Sequence, residues 1–274
     1  MIKFGLSLIL IGVAAISFAQ KSDSTSWLKV GELKIDQDEK WAIDGLENCI
    51  ITSKNVIQKY DSAGVLKFSQ SSKSFGRLNS IQSINPMKWI TFSEEQQLIC
   101  ILDNTLTLSE QCIDLSGFGI GNATHIAVSS QSDKLWVLDQ LNSRLLLLSL
   151  GRTNQFQEIS NLKGILNISM IASIQEWDNQ LFLFDAAGVI YQFDVYGSLL
   201  SANKFENIKD FAVKDNTLVL VQNNQLLLRD LAVPEKKLID LPIKNVLEVK
   251  ISGNFFYFRT ENNLYKYTLL FNQY

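Results

Sequence analysis

The side chains in this 274-residue sequence with chemical potential are one histidine, scattered carboxylates and three cysteines. His125 is the only histidine. A Ser-His-Asp triad would depend on it alone, and neither Thr124 nor Ser129 lies in a nucleophile elbow. Asp44, Glu94, Glu176 and Asp210 carry charge that could hold a cation. Calcium, however, needs several oxygen ligands converging on one point, and the spacings of these four do not coincide. Cys49, Cys100 and Cys112 form no CxxC pair, and no second histidine completes a zinc set. Gly117-Phe118-Gly119-Ile120-Gly121 is glycine-rich. It runs between two predicted strands, without the helix whose N-terminus would hold a phosphate. These residues predict no catalytic group, no metal site and no cofactor. His125 is expected as a hydrogen-bonded, partly buried residue or as an axial binding group.

Charge narrows the partners. Net charge is -3 with both signs interspersed, so there is no basic field for nucleic acid. Residues 1–19 read as a signal peptide. Lys3 opens it, Phe4 to Phe18 form an apolar run, and Ser17 and Ala19 supply small residues at the −3 and −1 positions before Gln20. An apolar run of about 15 residues is short for a bilayer span, which takes ~20. Cleavage after Ala19 removes Lys3 and leaves a net charge of -4. No later stretch is long enough to cross a membrane, so an exported, periplasmic protein is expected. Residues 20–26 form a polar leader, and 27–274 one domain.

The elements that must position these groups are short strands. Lys134 to Leu150, KLWVLDQLNSRLLLLSL, reads as strand, polar turn and strand. Aligned on the second strand of each unit, copies begin near Cys49, Leu98, Leu135, Leu181, Leu218 and Phe255. The intervals are 49, 37, 46, 37 and 37 residues. A period near 40 built from short strands is the mark of a β-propeller blade. Val, Ile, Phe, Tyr and Thr dominate the runs, and helical periodicity and caps are missing. The sixth unit supplies three strands, Val246–Ile251, Phe255–Phe258 and Leu264–Leu270. The unpartnered strand Trp27 to Ile35 fills the vacant place. The predicted fold is an all-β, six-bladed β-propeller of four-stranded blades, closed by an N-terminal strand completing the last blade. On that fold His125 lies on an innermost strand, and Trp41, Trp89 and Trp136 belong to inter-blade core.

Around the turn in the third unit, Asp139, Asn142 and Arg144 resemble one repeat of the NHL and related six-bladed propellers, the broad NHL-like and YncE-like group. Asp185 retains the acid in the fourth unit, but Gly188 and Val189 follow it; the fifth and sixth units depart further. The resemblance implies the propeller fold. By the residues themselves, Asp139 and Arg144 read as a pair bracing the turn. The signal's ending, Ser-Phe-Ala-Gln, resembles export signals of the Bacteroidetes kind.

Connections from the last strand of one blade to the first of the next share a face with the turns between second and third strands. Two are long here, Gln70 to Pro86 and Ser116 to Asn122. They carry Phe75, Arg77, Phe118 and Ile120, which are either partner anchors or a lid over the core. The expected function is a non-catalytic protein-protein interaction module, an accessory subunit of outer-membrane or secretion machinery. By similarity in compartment, size and fold, one case would be a subunit closing the periplasmic mouth of a type IX translocon. The alternative is a ligand-binding or lactonase-like propeller using the axial channel. Finally, Cys100 is placed on a second strand and Cys112 on the fourth strand of the same unit. Two strand spacings of ~4.8 Å exceed the reach of a disulfide. Three buried free thiols are expected.

Overall fold

The computed structural model describes residues 25–271, apart from 55, 152–155, 167, 169 and 234. The signal segment and residues 20–24 of the leader lie outside the described residues. The first strand, β1 (Thr25–Lys34), begins at Thr25 rather than Trp27. Six four-stranded antiparallel sheets follow one another along the chain. Blade 1 is β2 (Lys40–Ile43), β3 (Cys49–Thr52), β4 (Val56–Tyr60) and β5 (Leu66–Ser71). Blade 2 is β6 (Ser80–Asn85), β7 (Lys88–Ser93), β8 (Leu98–Asp103) and β9 (Ile113–Asp114). Blade 3 is β10 (Ala123–Val128), β11 (Lys134–Asp139), β12 (Arg144–Ser149) and β13 (Phe156–Ile159). Blade 4 is β14 (Ile171–Trp177), β15 (Gln180–Asp185), β16 (Val189–Phe193) and β17 (Leu199–Lys204). Blade 5 is β18 (Ile208–Lys214), β19 (Thr217–Gln222), β20 (Gln225–Asp230) and β21 (Lys236–Asp240). Blade 6 takes β22 (Glu248–Ser252), β23 (Phe255–Arg259) and β24 (Asn263–Phe271), and β1 completes it. First strands of successive blades contact one another, which makes them the innermost strands. This is the predicted six-bladed propeller.

The apolar runs are continuous because middle strands are buried on both faces. In β11, Leu135 and Val137 enter one apolar cluster with blade 2, while Trp136 and Leu138 enter another with blade 4. β12 repeats this with Leu146 and Leu148 against Leu145 and Leu147. Period-2 geometry sends neighbouring side chains to opposite faces, so a strand sandwiched between two blades carries no polar face. The outer strand β5 is exposed along its whole length. An apolar cluster of this kind fills each of the six seams. Trp41, Trp89 and Trp136 lie within them, as the sequence predicts. Tight hairpins use Asp178-Asn179, Asp215-Asn216 and Asn223-Asn224, all at positive φ, the backbone a two-residue primed turn requires.

The closing seam, between blades 6 and 1, has a small apolar cluster of six buried residues. Polar contacts supplement it. Lys266 pairs with Glu47 at 2.6 Å, and Trp41 Nε1 donates to Glu248 at 2.7 Å. Arg259 donates to the carbonyls of Asp36 (3.1 Å) and Gln37 (2.7 Å). β1 pairs with β24 from Thr25↔Phe271 to Lys34↔Asn263. Trp27 meanwhile packs edge-on against Phe256, Phe258 and Tyr267 and donates to the Asp240 carbonyl of blade 5 at 2.7 Å.

Two sequence expectations are corrected in blade 2. Leu98 opens the third strand, not the second, because β7 occupies Lys88–Ser93. Cys100 therefore lies on the third strand, and Cys112 immediately precedes the fourth. The two are neighbours, with Cα atoms 4.3 Å apart, and they form a disulfide. Cys49 is buried and free, as expected, and burial pushes its thiol pKa far up.

Candidate interaction face and axial channel

Several polar side chains of the innermost strands bond to the next blade. Gln82 on β6 donates to the Ile126 carbonyl (2.7 Å) and accepts the Val128 N–H (2.9 Å). Gln175 on β14 donates to the Phe211 carbonyl (2.7 Å). Asp210 on β18 accepts the Val249 N–H (2.9 Å), and Ser252 on β22 donates to the Asp44 carbonyl (2.8 Å). Each of these bonds ties one blade to the following one.

His125 belongs to the same ring. Its Nε2 lies 3.1 Å from the Ala172 carbonyl of blade 4, and its Nδ1 lies 3.0 Å from Thr124 Oγ. A carbonyl only accepts, so Nε2 carries a proton, and in the neutral ring Nδ1 then accepts from the Thr124 hydroxyl. Burial lowers the His125 pKa, against the opposing pull of the Ala172 carbonyl and Glu94. The imidazole is thus neutral, with both nitrogens occupied, as a bridge between blades.

The carboxylates are held apart by local duties. Asp44 accepts the N–H groups of Leu46 and Asn48 and the Asn48 side-chain amide. Glu94 accepts from Asn79 Nδ2 (3.1 Å). Glu176 accepts from Ser130 and from Trp136 Nε1, joining blades 3 and 4. Burial raises the Asp210 pKa to about 7, partly offset by the Val249 N–H. Among the described residues, no three of His, Cys, Asp and Glu are grouped to hold a metal ion.

Asp139, Asn142 and Arg144 brace the loop face. Asp139 is fully buried. It accepts from Asn142 Nδ2 (2.7 Å), Arg144 Nε (3.1 Å) and the N–H groups of Gly121 and Asn122 (both 3.2 Å). Arg144 also pairs with Glu158 (2.9 Å) and donates to the Gly119 carbonyl (2.6 Å). Burial alone would raise the Asp139 pKa. The bonds from Asn142, the two backbone N–H groups and Arg144 outweigh it and hold the pKa below its ordinary value. The turn of blade 3 is thereby fastened to the connection arriving from blade 2.

The four loop candidates separate. Phe75 is buried in the seam between blades 1 and 2, and Ile120 in the seam between blades 2 and 3. Phe118 is half-buried against the latter cluster, and Arg77 is exposed. The structure therefore divides the set between loop anchoring and accessible surface.

This geometry defines a six-bladed β-propeller with a braced loop face. No family model and no curated protein sequence matches the chain. Solved structures share its fold. Virginiamycin B lyase from Staphylococcus aureus is similar at a TM-score of 0.62 and 12% identity, over 90% of this chain and 100% of that one. The Neurospora crassa Pan2 WD40 domain is similar at 0.61 and 11%, over 88% and 95%. A chain of the mitotic checkpoint complex is similar at 0.61 and 11%, over 98% and 99%. At such identities the likeness is one of scaffold, and that scaffold serves a lyase and protein-complex subunits alike.

Proposed function

We propose that this protein is a non-catalytic interaction module of the periplasm. In this reading it is an accessory subunit of outer-membrane or secretion machinery, for which the periplasmic mouth of a type IX translocon is one setting. The observation that carries the non-catalytic part is the engagement of the candidate catalytic groups. His125 has both nitrogens bonded within the scaffold, and Asp44, Glu94, Glu176 and Asp210 each accept bonds from their own blade or a neighbouring one. The resemblance to protein-complex propellers supports a protein partner, and the signal-like sequence of residues 1–19 supports the compartment. The loop face is the proposed contact surface. Arg77 and the accessible edge of Phe118 meet the partner, while Phe75 and Ile120 hold the two connections in place.

The test is affinity purification of the tagged, exported protein from gently solubilised envelopes, followed by mass spectrometry. A stoichiometric outer-membrane protein whose recovery falls with Arg77→Ala is the expected result. A clean monomer with no companion would overturn the reading and direct attention to the axial channel.

A further inference from the structure

The seam between blades 4 and 5 is hollowed in its outer part. Its inner part is closed by Phe182, Phe184, Phe211 and Leu220. Further out the two blades leave a groove. On the loop face there is a cleft of about 420 Å³ between the turn Ala186–Gly188 and the connection 204–208. Below it is a smaller recess of about 140 Å³, floored by Phe182, Ile190 and Leu218 and walled by Gln192, Asn203 and Arg229. Phe205 lies between them, lining the cleft and stacking under the Arg229 guanidinium at 5.6 Å. Gly188, at φ +88, permits this close approach. A Cβ there would meet the Phe205 carbonyl oxygen at 2.5 Å.

Arg229 is the unusual group. Arg144 is half-buried like Arg229, Arg259 and Lys266 are buried, and each of these three is ion-paired with a carboxylate. Among the described residues, no carboxylate lies within ion-pair distance of Arg229. Its known contact is the Phe205 ring, which orients the planar fork. The amide wall beside it is internally satisfied on one side. Gln192 accepts from Ser201 (2.9 Å), and Asn203 donates to Ser201 (3.0 Å). A recess of this size holds one side chain rather than a whole small ligand, whose pockets run ~300–1,000 Å³. A half-buried guanidinium above an apolar floor fits a carboxylate, which it can engage through two parallel bonds.

We propose that this groove binds an extended segment of a partner protein and that an Asp or Glu side chain of that segment enters the recess to pair with Arg229. Neighbouring residues of the segment then lie in the cleft beside Lys204, with Glu206 selecting against a second acid there. The inference rests on the interaction-module reading for the source of the segment, and on the groove alone for its chemistry.

The test uses two dansylated, C-terminally amidated tetrapeptides, Ala-Leu-Glu-Leu and Ala-Leu-Gln-Leu, with fluorescence polarisation as the readout. The intact protein should bind the Glu peptide saturably and the Gln peptide at least about tenfold more weakly. Arg229→Met should weaken the Glu peptide to the level of the Gln peptide, and Arg229→Lys should retain part of the difference. Near-ultraviolet circular dichroism verifies that both variants are folded. No saturable binding by the wild type, or binding unaltered in Arg229→Met, overturns the proposal. Co-purification of the envelope partner separates it from the broader reading. A partner retained equally by Arg229→Met overturns the groove as its dock and leaves the module standing. Arg229-dependent peptide binding without any envelope partner has the opposite meaning.

Discussion

Replacing Trp27 by Ala tests how the ring is closed. The indole of β1 lies in the seam between blades 5 and 6. It makes edge-on contacts with Phe256 (5.2 Å), Phe258 (5.5 Å) and Tyr267 (6.2 Å) and a hydrogen bond to the Asp240 carbonyl. Fully buried Phe or Trp to Ala costs ~3–5 kcal/mol. Trp27 is half-buried, and water can replace its bond to Asp240, so the expected loss is about 2–3 kcal/mol. At ~2–4 °C per kcal/mol for a large domain, Tm should fall by roughly 5–10 °C. Its neighbour Leu28 points away from the seam and is 53% exposed. Leu28→Ala should therefore stay within about 0.5 kcal/mol. Urea unfolding of both variants, beside a thermal scan, gives the comparison. If Trp27→Ala is as mild as Leu28→Ala, β1 does not secure the ring as argued.

Three further outcomes follow from the structure. In unreduced protein, unfolding should expose the Cys49 thiol but not those of Cys100 and Cys112, and Cys112→Ser should cost about 2–3 kcal/mol; titration of three thiols from the unfolded wild type would contradict the pairing. Asp139→Ala removes the acceptor shared by Gly121, Asn122, Asn142 and Arg144 and should cost about 3 kcal/mol at neutral pH, measured by urea unfolding. Because the folded Asp139 pKa is depressed, that contribution is present above the ordinary carboxylate range and fades as pH falls through the folded pKa. Asp210 has the opposite sign: its folded pKa is raised to about 7, so the folded state holds a proton the unfolded chain has released. Its contribution to stability should decline as pH rises from about 4 to about 7, and Asp210→Asn should flatten that part of the stability-pH curve; an unchanged slope would place the titration elsewhere.

Much of the architecture was readable because middle strands are buried on both faces. That burial turns KLWVLD and RLLLL into apolar runs too short for helices and bounded by turn residues. The place for β1 was also visible, since the last unit supplies three strands and Trp27 to Ile35 has no nearby partner. The strand order in blade 2 differs from the one the repeat spacing predicts, although a local signal marks it. Asp103 ends a third strand, Asp61 and Asp194 directly follow one, and each accepts the N–H groups two and four residues on. Asp103 thus identifies Leu98–Asp103 as a third strand. That turn places Cys100 on the third strand, beside the segment that carries Cys112 into the fourth.

The amino-acid sequence by itself determined the number of blades, the strand character of each run and the supply of the closing strand, because these depend on local burial and turn chemistry. Tertiary structure decided which polar groups meet. His125 finds the Ala172 carbonyl 47 residues away, and Trp41 finds Glu248 across 207. Arg229 reaches Phe205 and, among the described residues, no carboxylate. Such partnerships join neighbouring blades, so they depend on how each blade seats against the next, a relation that strand periodicity does not encode.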